Sequence, residues 1–257
     1  MTAITQANNT KPLSVVVTGA STGIGKAIAQ YFLTRGHRVV INSSNANNLE
    51  KVYQELGSSS NLAMVVGDIS DRAVGQRLID KAVEQFGGVD VLINNAGIFT
   101  PKPFLAVEEA DLNRLLGVNL KGTFFTTQAA IQDMLRRGGG SVINFSTVLV
   151  DHAVGGFPAT AAVASKGAVQ ALTRQLATEF GKDNIRVNTL ALGVIRTPLL
   201  TKMGVMEADN LAGMHLLNRI GELADVAEMA YALATSNFIT GTTINVDGGH
   251  VAGHIPR

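Results

Sequence analysis

The feature that most narrows the folds open to this chain is an alternation of two hydrophobic periods. Seven short apolar runs, Ser14 to Val17, Arg38 to Ile41, Leu62 to Val66, Val89 to Ile93, Ser141 to Phe145, Ile185 to Leu190 and Thr242 to Val246, are separated by longer stretches of helical spacing. Their near-continuous apolar character suits parallel strands buried on both faces. Between runs, Ile24, Ile28, Tyr31 and Phe32 make one helical stripe, and Val74, Leu78, Ile79, Ala82, Val83 and Phe86 make another. Repeated βα units with right-handed crossovers predict an α/β fold. It is a doubly wound parallel sheet covered by helices on both faces, in a single domain over residues 13–257. Residues 1–12 read as a disordered polar tail. The first ten hold neither Lys nor Arg and no apolar core, so no signal peptide is expected.

Charged residues make up only 16% of the chain, against ~25% in an average soluble protein. The segments Leu120 to Met134 and Ala161 to Phe180 are apolar on more than one side, which predicts burial against a second copy in a homo-oligomer. An apolar position such as Val169 is expected on that outer face. The net charge of +1 supplies no field for a nucleic acid or an anionic membrane, and neither is expected as a partner. Cysteine is absent, which removes disulfides, thiolate nucleophiles and Cys-ligated metals and makes a cytoplasmic location the expectation. The longest stretch without a charged residue, Met229 to Val246, is broken by polar residues, so no membrane span is expected. His250 and His254 have i, i+4 spacing but no third ligand, and no metal is expected.

Directly after the first run comes Thr18-Gly19-Ala20-Ser21-Thr22-Gly23-Ile24-Gly25, leading into a helical stripe. Glycines there permit a tight turn and close backbone approach to a pyrophosphate, whose charge the helix N-terminus attracts. At the end of the second strand no acidic residue is present to bind the ribose 2'-hydroxyl of NAD. Ser43 and Ser44 could instead donate to a 2'-phosphate, with Arg38 or Lys51 as nearby cations, which makes NADP(H) the preferred cofactor and leaves NAD(H) possible. Asp68 closes the third strand, either accepting from an adenine amino group or starting a helix with Ser70 and Asp71. The irregular, Met-rich region from Leu199 to Leu217 is expected as a flap over the carboxyl ends of the strands.

Asn94-Asn95-Ala96-Gly97 closes the fourth run. Together with Thr18 to Gly25, Asp68, Asn119, Ser146-Thr147, Lys166, Gly193 to Pro198 and Val246-Asp247-Gly248-Gly249, it makes the chain resemble the short-chain dehydrogenase/reductase family from about Leu13 to Gly249. The resemblance implies a Rossmann-like domain with a seven-stranded parallel sheet, and hydride transfer between NAD(P) and a small carbonyl compound or alcohol. It places Gly19, Gly23 and Gly25 around the pyrophosphate with Ser21, Thr22 and Ile24 in the same turn. Asp68 and Ile69 would lie at the adenine, Asn95, Ala96 and Gly97 at the adenine ribose, and Gly193, Ile195 and Thr197 by the nicotinamide. Leu192 replaces a proline usual before Gly193.

The family's catalytic set implies Asn119 holding a helix open around a water, and Lys166 binding the nicotinamide ribose. Thr147 would polarise the substrate carbonyl, with Ser146 as fallback. The family's tyrosine belongs four residues before Lys166, one helical turn away. That position is Ala162, and the three tyrosines, Tyr31, Tyr53 and Tyr231, are far away in sequence. His152, in the loop after the fifth strand, is one candidate replacement donor. Water carrying a proton from Lys166 is another. The residues leave open an oxidoreductase with an altered proton donor, a dinucleotide-binding protein with little turnover, and an active reductase whose tyrosine has been substituted. The resemblance also implies a homotetramer or dimer.

Overall fold

The computed structural model describes residues 11–253. The expected polar tail therefore lies mostly, and His254 wholly, outside the described residues. Seven parallel strands form one sheet, ordered β3-β2-β1-β4-β5-β6-β7. They are β1 (Ser14–Val17), β2 (Arg38–Ser43), β3 (Leu62–Val66), β4 (Val91–Asn94), β5 (Gly140–Thr147), β6 (Ile185–Leu192) and β7 (Thr243–Val246). The order reverses direction between β1 and β4, which opens a crevice at the carboxyl edge where ligands of doubly wound sheets bind. Several strands run further than the apolar runs predict. Asn42 and Ser43 extend β2, and Ser146 and Thr147 extend β5 in register with Ala191 and Leu192 of β6.

Side chains alternate across the sheet and feed two apolar layers. Val15, Val17, Val39 and Ile41 point to the side of α1 (Gly23–Leu33), α2 (Ala46–Glu55) and α8 (Leu223–Thr235). Val16, Val40, Ala63 and Leu92 point to the side of α3 (Arg72–Phe86) and α5 (Thr123–Arg137). The remaining helices are α4 (Glu109–Leu115), α6 (Thr160–Phe180) and the short α7 (Pro198–Lys202). Ile28 and Phe32 of the first predicted stripe are fully buried, and so is Leu78 of the second, whereas Val83 is partly exposed.

A buried polar network fixes α6 against the sheet. Asn94 donates to Asn144 and Thr127, Asn144 donates to Thr173, and Thr173 meets the Thr189 hydroxyl, all at 2.7–2.8 Å. Apart from Asn94 Oδ1, which has no partner, the network is satisfied, and it ties the helix that carries Lys166 to β4, β5 and β6. Val169, on the same helix, is 1% exposed and belongs to the core, against the expectation of an outer face. The outward apolar positions are instead Phe124 and Leu135 on α5 and Leu112 on α4. Among the described residues, no helix is long and apolar enough to cross a membrane.

Candidate active site

The site is assembled where β1, β4, β5 and β6 end. At Gly19 the backbone has φ +66°, and a Cβ there would stand 2.7 Å from the Ala96 Cα, so the turn after β1 lies directly on the end of β4. Asn95 secures that contact by donating to the carbonyls of Thr18 and Gly19, while Thr18 Oγ1 accepts from the Ala96 N–H. Thr22 begins α1 with extended backbone and no side-chain cap, and the first turn carries no acidic residue. The opening N–H groups of α1 thus have no side-chain cap, the arrangement in which a helix N-terminus can meet an anion. Thr197 and Pro198 lie across the same turn, beside Gly23.

At the adenosine side, the Ser43 hydroxyl donates to Ser21 Oγ at 2.8 Å and accepts from the Asn45 N–H, and Ser44 is exposed. Arg38 is not a neighbour of this end. It starts β2 and donates to the Pro12 carbonyl, roughly 16 Å of extended chain from Ser43. Lys51 lies on α2, exposed, 3.9 Å from Glu55. Asp68 is engaged locally, accepting from the N–H and hydroxyl of Ser70, while Asp71 caps α3. Ile69 is buried behind it.

A cavity of about 450 Å³ opens beyond the turn. Its wall includes Ile24, Asn95 and Gly97 from the turn side, Ser146, Thr147 and Lys166 from β5 and α6, and Gly193, Ile195 and Thr197 after β6. Leu199, Leu200, Met203, Val205, Leu211 and Met214 cover it, so the predicted flap region does line the cavity. Ser146 Oγ donates to the Lys166 carbonyl and accepts from Gln170. Thr147 Oγ1 accepts from the Leu149 N–H, and among the described residues nothing takes its proton. Of the two hydroxyls, Thr147 keeps the free donor.

Lys166 donates to the Phe145 carbonyl at 2.9 Å, with no carboxylate paired to it among the described residues. Burial pushes its ammonium down to about 8, since desolvation disfavours the charged form. Asn119 sits in a π-helical turn, Leu116–Gly122, that joins α4 to α5. Its amide bonds both backbone groups of Ile98 and donates to Ser165, which donates in turn to the Ala162 carbonyl. A Cβ on Gly97 would meet both the Lys166 ammonium and Asn119 Oδ1 within 3.3 Å, so the two are neighbours. Such π turns often mark functional sites.

Ala162 is fully buried and lies outside the cavity wall. Tyr31, Tyr53 and Tyr231 pack in the apolar layer of α1, α2 and α8, and the fold brings no phenol to the cavity. His152 does not reach the wall either. It stacks edge-to-face on His250, and His250 is the imidazole that lines the cavity. The sequence drew attention to His250 only through its spacing to His254. Among the described residues no group of three His, Asp or Glu side chains is placed to hold a metal ion.

A doubly wound parallel sheet with a glycine turn after its first strand defines the Rossmann-like class of α/β proteins. Within that class the chain belongs to the short-chain dehydrogenase/reductase family, residues 19–251 matching the family model described as enoyl-(acyl carrier protein) reductase. It is 34% identical over 240 residues to the 3-oxoacyl-[acyl-carrier-protein] reductase FabG of Thermotoga maritima, covering 92% of this chain and 96% of that one. To the NADP-dependent (R)-specific alcohol dehydrogenase of Lentilactobacillus kefiri it is 38% identical over 243 residues, covering 92% and 96%. The solved structure of ElxO with NADP bound superposes with a TM-score of 0.87 at 31% identity, covering 95% of this chain and all of that one.

Proposed function

We propose that this protein is an NADP(H)-dependent oxidoreductase that interconverts a small carbonyl compound and its alcohol, with Lys166 supplying the proton that family members take from a tyrosine. The observation that carries the reading is the shared wall. A free hydroxyl donor at Thr147 and an ammonium of lowered pKa at Lys166 face one apolar cavity beside the glycine turn. The uncapped start of α1, the turn at Gly19 and the cover of Thr197 fit a dinucleotide whose pyrophosphate meets Gly19, Ser21, Thr22, Gly23, Ile24 and Gly25. Asp68 and Ile69 would flank its adenine, and Asn95, Ala96 and Gly97 its ribose. Gly193, Ile195 and Thr197 would hold the carboxamide. The missing carboxylate at Ser43 and the NADP named for two relatives support the phosphorylated cofactor. When bound, the cofactor supplies or takes the hydride.

In the direction of reduction, Thr147 donates a hydrogen bond to the carbonyl oxygen and stabilises the negative charge that grows there. Lys166 passes a proton to that oxygen, directly or through one water, and returns to the neutral amine that burial favours. Asn119 holds the π turn and, through Ser165, the backbone of α6 one turn before Lys166. A second reading, a dinucleotide-binding protein with little turnover, is favoured by one observation: the sealed, fully buried Ala162. Cofactor oxidation screened over small ketones and aldehydes separates the two. Turnover that falls at least ~10²-fold in both Lys166→Ala and Thr147→Ala supports the enzyme, whereas turnover untouched by Lys166→Ala refutes this use of the lysine.

A further inference from the structure

The segment that covers the cavity is tied to the rest of the molecule by very little. From Leu199 to Met214 no residue is buried, and Met206 is 82% exposed. The backbone hydrogen bonds of this segment stay local, running among residues 197–215. A cleft of about 400 Å³ undercuts it, lined by Arg196 and Thr197 on one side and by Thr201, Val205, Met206 and Asn210 on the other. Among the described residues, the one side-chain bond that leaves the stretch from Leu199 to Gly213 runs from Asp209 to Arg196.

Arg196 is rooted in the frame of the site. Its N–H donates to the Gly221 carbonyl, and the Gly221 N–H donates to the Val194 carbonyl, each at 2.8 Å. Its guanidinium forks between two carboxylates, donating from Nε to Glu222 at 3.0 Å and from Nη2 to Asp209 at 2.5 Å. Glu222 is fixed at the start of α8, where its own N–H donates to Asp225. The arginine therefore joins a carboxylate of the frame to a carboxylate of the cover. All three side chains are at least 45% exposed, and an exposed ion pair is worth a factor of about two to five in an equilibrium. Such a tie is too weak to fix a fold, but it biases a shallowly packed segment between open and closed, and salt weakens it.

We infer that Arg196 is a positioning residue that latches the cover over the cavity through Asp209. Its effect on turnover rests on the carbonyl reductase reading above, which it deepens by naming the contact that closes the site. Opening admits substrate and releases product. Closing completes the apolar wall of Leu199, Leu200, Met203, Val205 and Leu211.

Trypsin cleavage after Lys202, an exposed residue of the cover, tests the latch without any carbonyl. Cutting requires the chain to be drawn out of its closed position, so the rate follows the population of the open form. Followed by mass spectrometry, this cut should be about two- to five-fold faster in Arg196→Met and in Asp209→Asn, and no faster in the double variant than in either alone. Arg196→Lys, which keeps the charge, should be cut at a rate between Arg196→Met and the unsubstituted protein. Raising NaCl from ~0.05 to ~0.5 M should speed the cut in the unsubstituted protein but not in Arg196→Met, with an unstructured peptide as the control for the protease. With a carbonyl substrate, Arg196→Met and Asp209→Asn should raise KM by the same factor and leave kcat undiminished. If no carbonyl is reduced, the reductase reading falls and the cleavage rates still decide the latch. A Lys202 cut that neither substitution nor salt accelerates overturns the inference, as do additive effects in the double variant or faster cutting with an unchanged KM. If a variant fails to fold, the salt series on the unsubstituted protein decides alone.

Discussion

At the scale of single residues, the proposed chemistry turns on Lys166 and Ala162. Lys166 has a folded pKa of about 8 against 10.5 in the unfolded chain, so between those values the unfolded state binds more protons. Stability of the ligand-free protein should therefore rise with pH across that window, by up to about 3 kcal/mol, and not below it. Melting curves of the protein against Lys166→Met isolate that part, which the variant lacks. Carbonyl reduction should fall as pH rises through about 8, because the amine then has no proton to give; a profile flat across that range removes Lys166 as donor. Ala162→Tyr tests the sealed position. Since Ala162 is fully buried and off the cavity wall, the larger side chain should cost about 1–3 kcal/mol in a melt. Any gain in turnover should stay below the ~10²- to 10⁴-fold of a well-placed acid. An undisturbed melt with a full gain would show open space at that position.

At the scale of elements, the α4–α5 face is where the proposed assembly is tested. The proposed homo-oligomer buries its outward apolar residues, Leu112, Phe124 and Leu135, so Phe124→Glu should shift the mass seen by light scattering toward the monomer with little loss of Tm. A monomeric unsubstituted protein removes the proposal. Much of the element order was readable because near-continuous apolar runs and 3.6-residue stripes report burial directly. Strand ends were not, since Asn42, Ser43, Ser146 and Thr147 are polar and break the pattern where the sheet becomes the site. Val169 was misplaced because an apolar residue on a helix apolar all round looks the same inward or outward. The glycine turn, Asn95, Thr147 and Lys166 were legible as spaced motifs and meet at one edge in the structure. Arg38 was wrongly grouped with Ser43, since sequence proximity hides that they sit at opposite ends of one strand. His250 was not legible as a cavity residue, because the rings it packs against, His152 and His215, lie far from it in sequence.

At the scale of the whole molecule, the strand order reverses between β1 and β4, and the cavity at the ends of β5 and β6 reaches that side through Ile24, Asn95 and Gly97 of its wall. The proposed function sets cofactor choice at Ser43 and substrate choice in the cavity. NADPH should bind more tightly than NADH, measured by nicotinamide fluorescence with little background because the chain has no Trp. Ser43→Asp should reverse the order by placing a carboxylate where the ribose hydroxyls lie, and tighter binding of NADH to the unsubstituted protein contradicts the assignment. The most direct measurement joins both ends. NADPH deuterated at the transferring position of the nicotinamide is incubated with acetoin and simple aldehydes, and the alcohols are analysed for label on the carbinol carbon. Deuterium at that carbon, diminished in Thr147→Ala and Lys166→Ala, is the predicted result. Firm NADPH binding with no label transferred to any carbonyl would contradict it and leave a protein that holds the dinucleotide without using it.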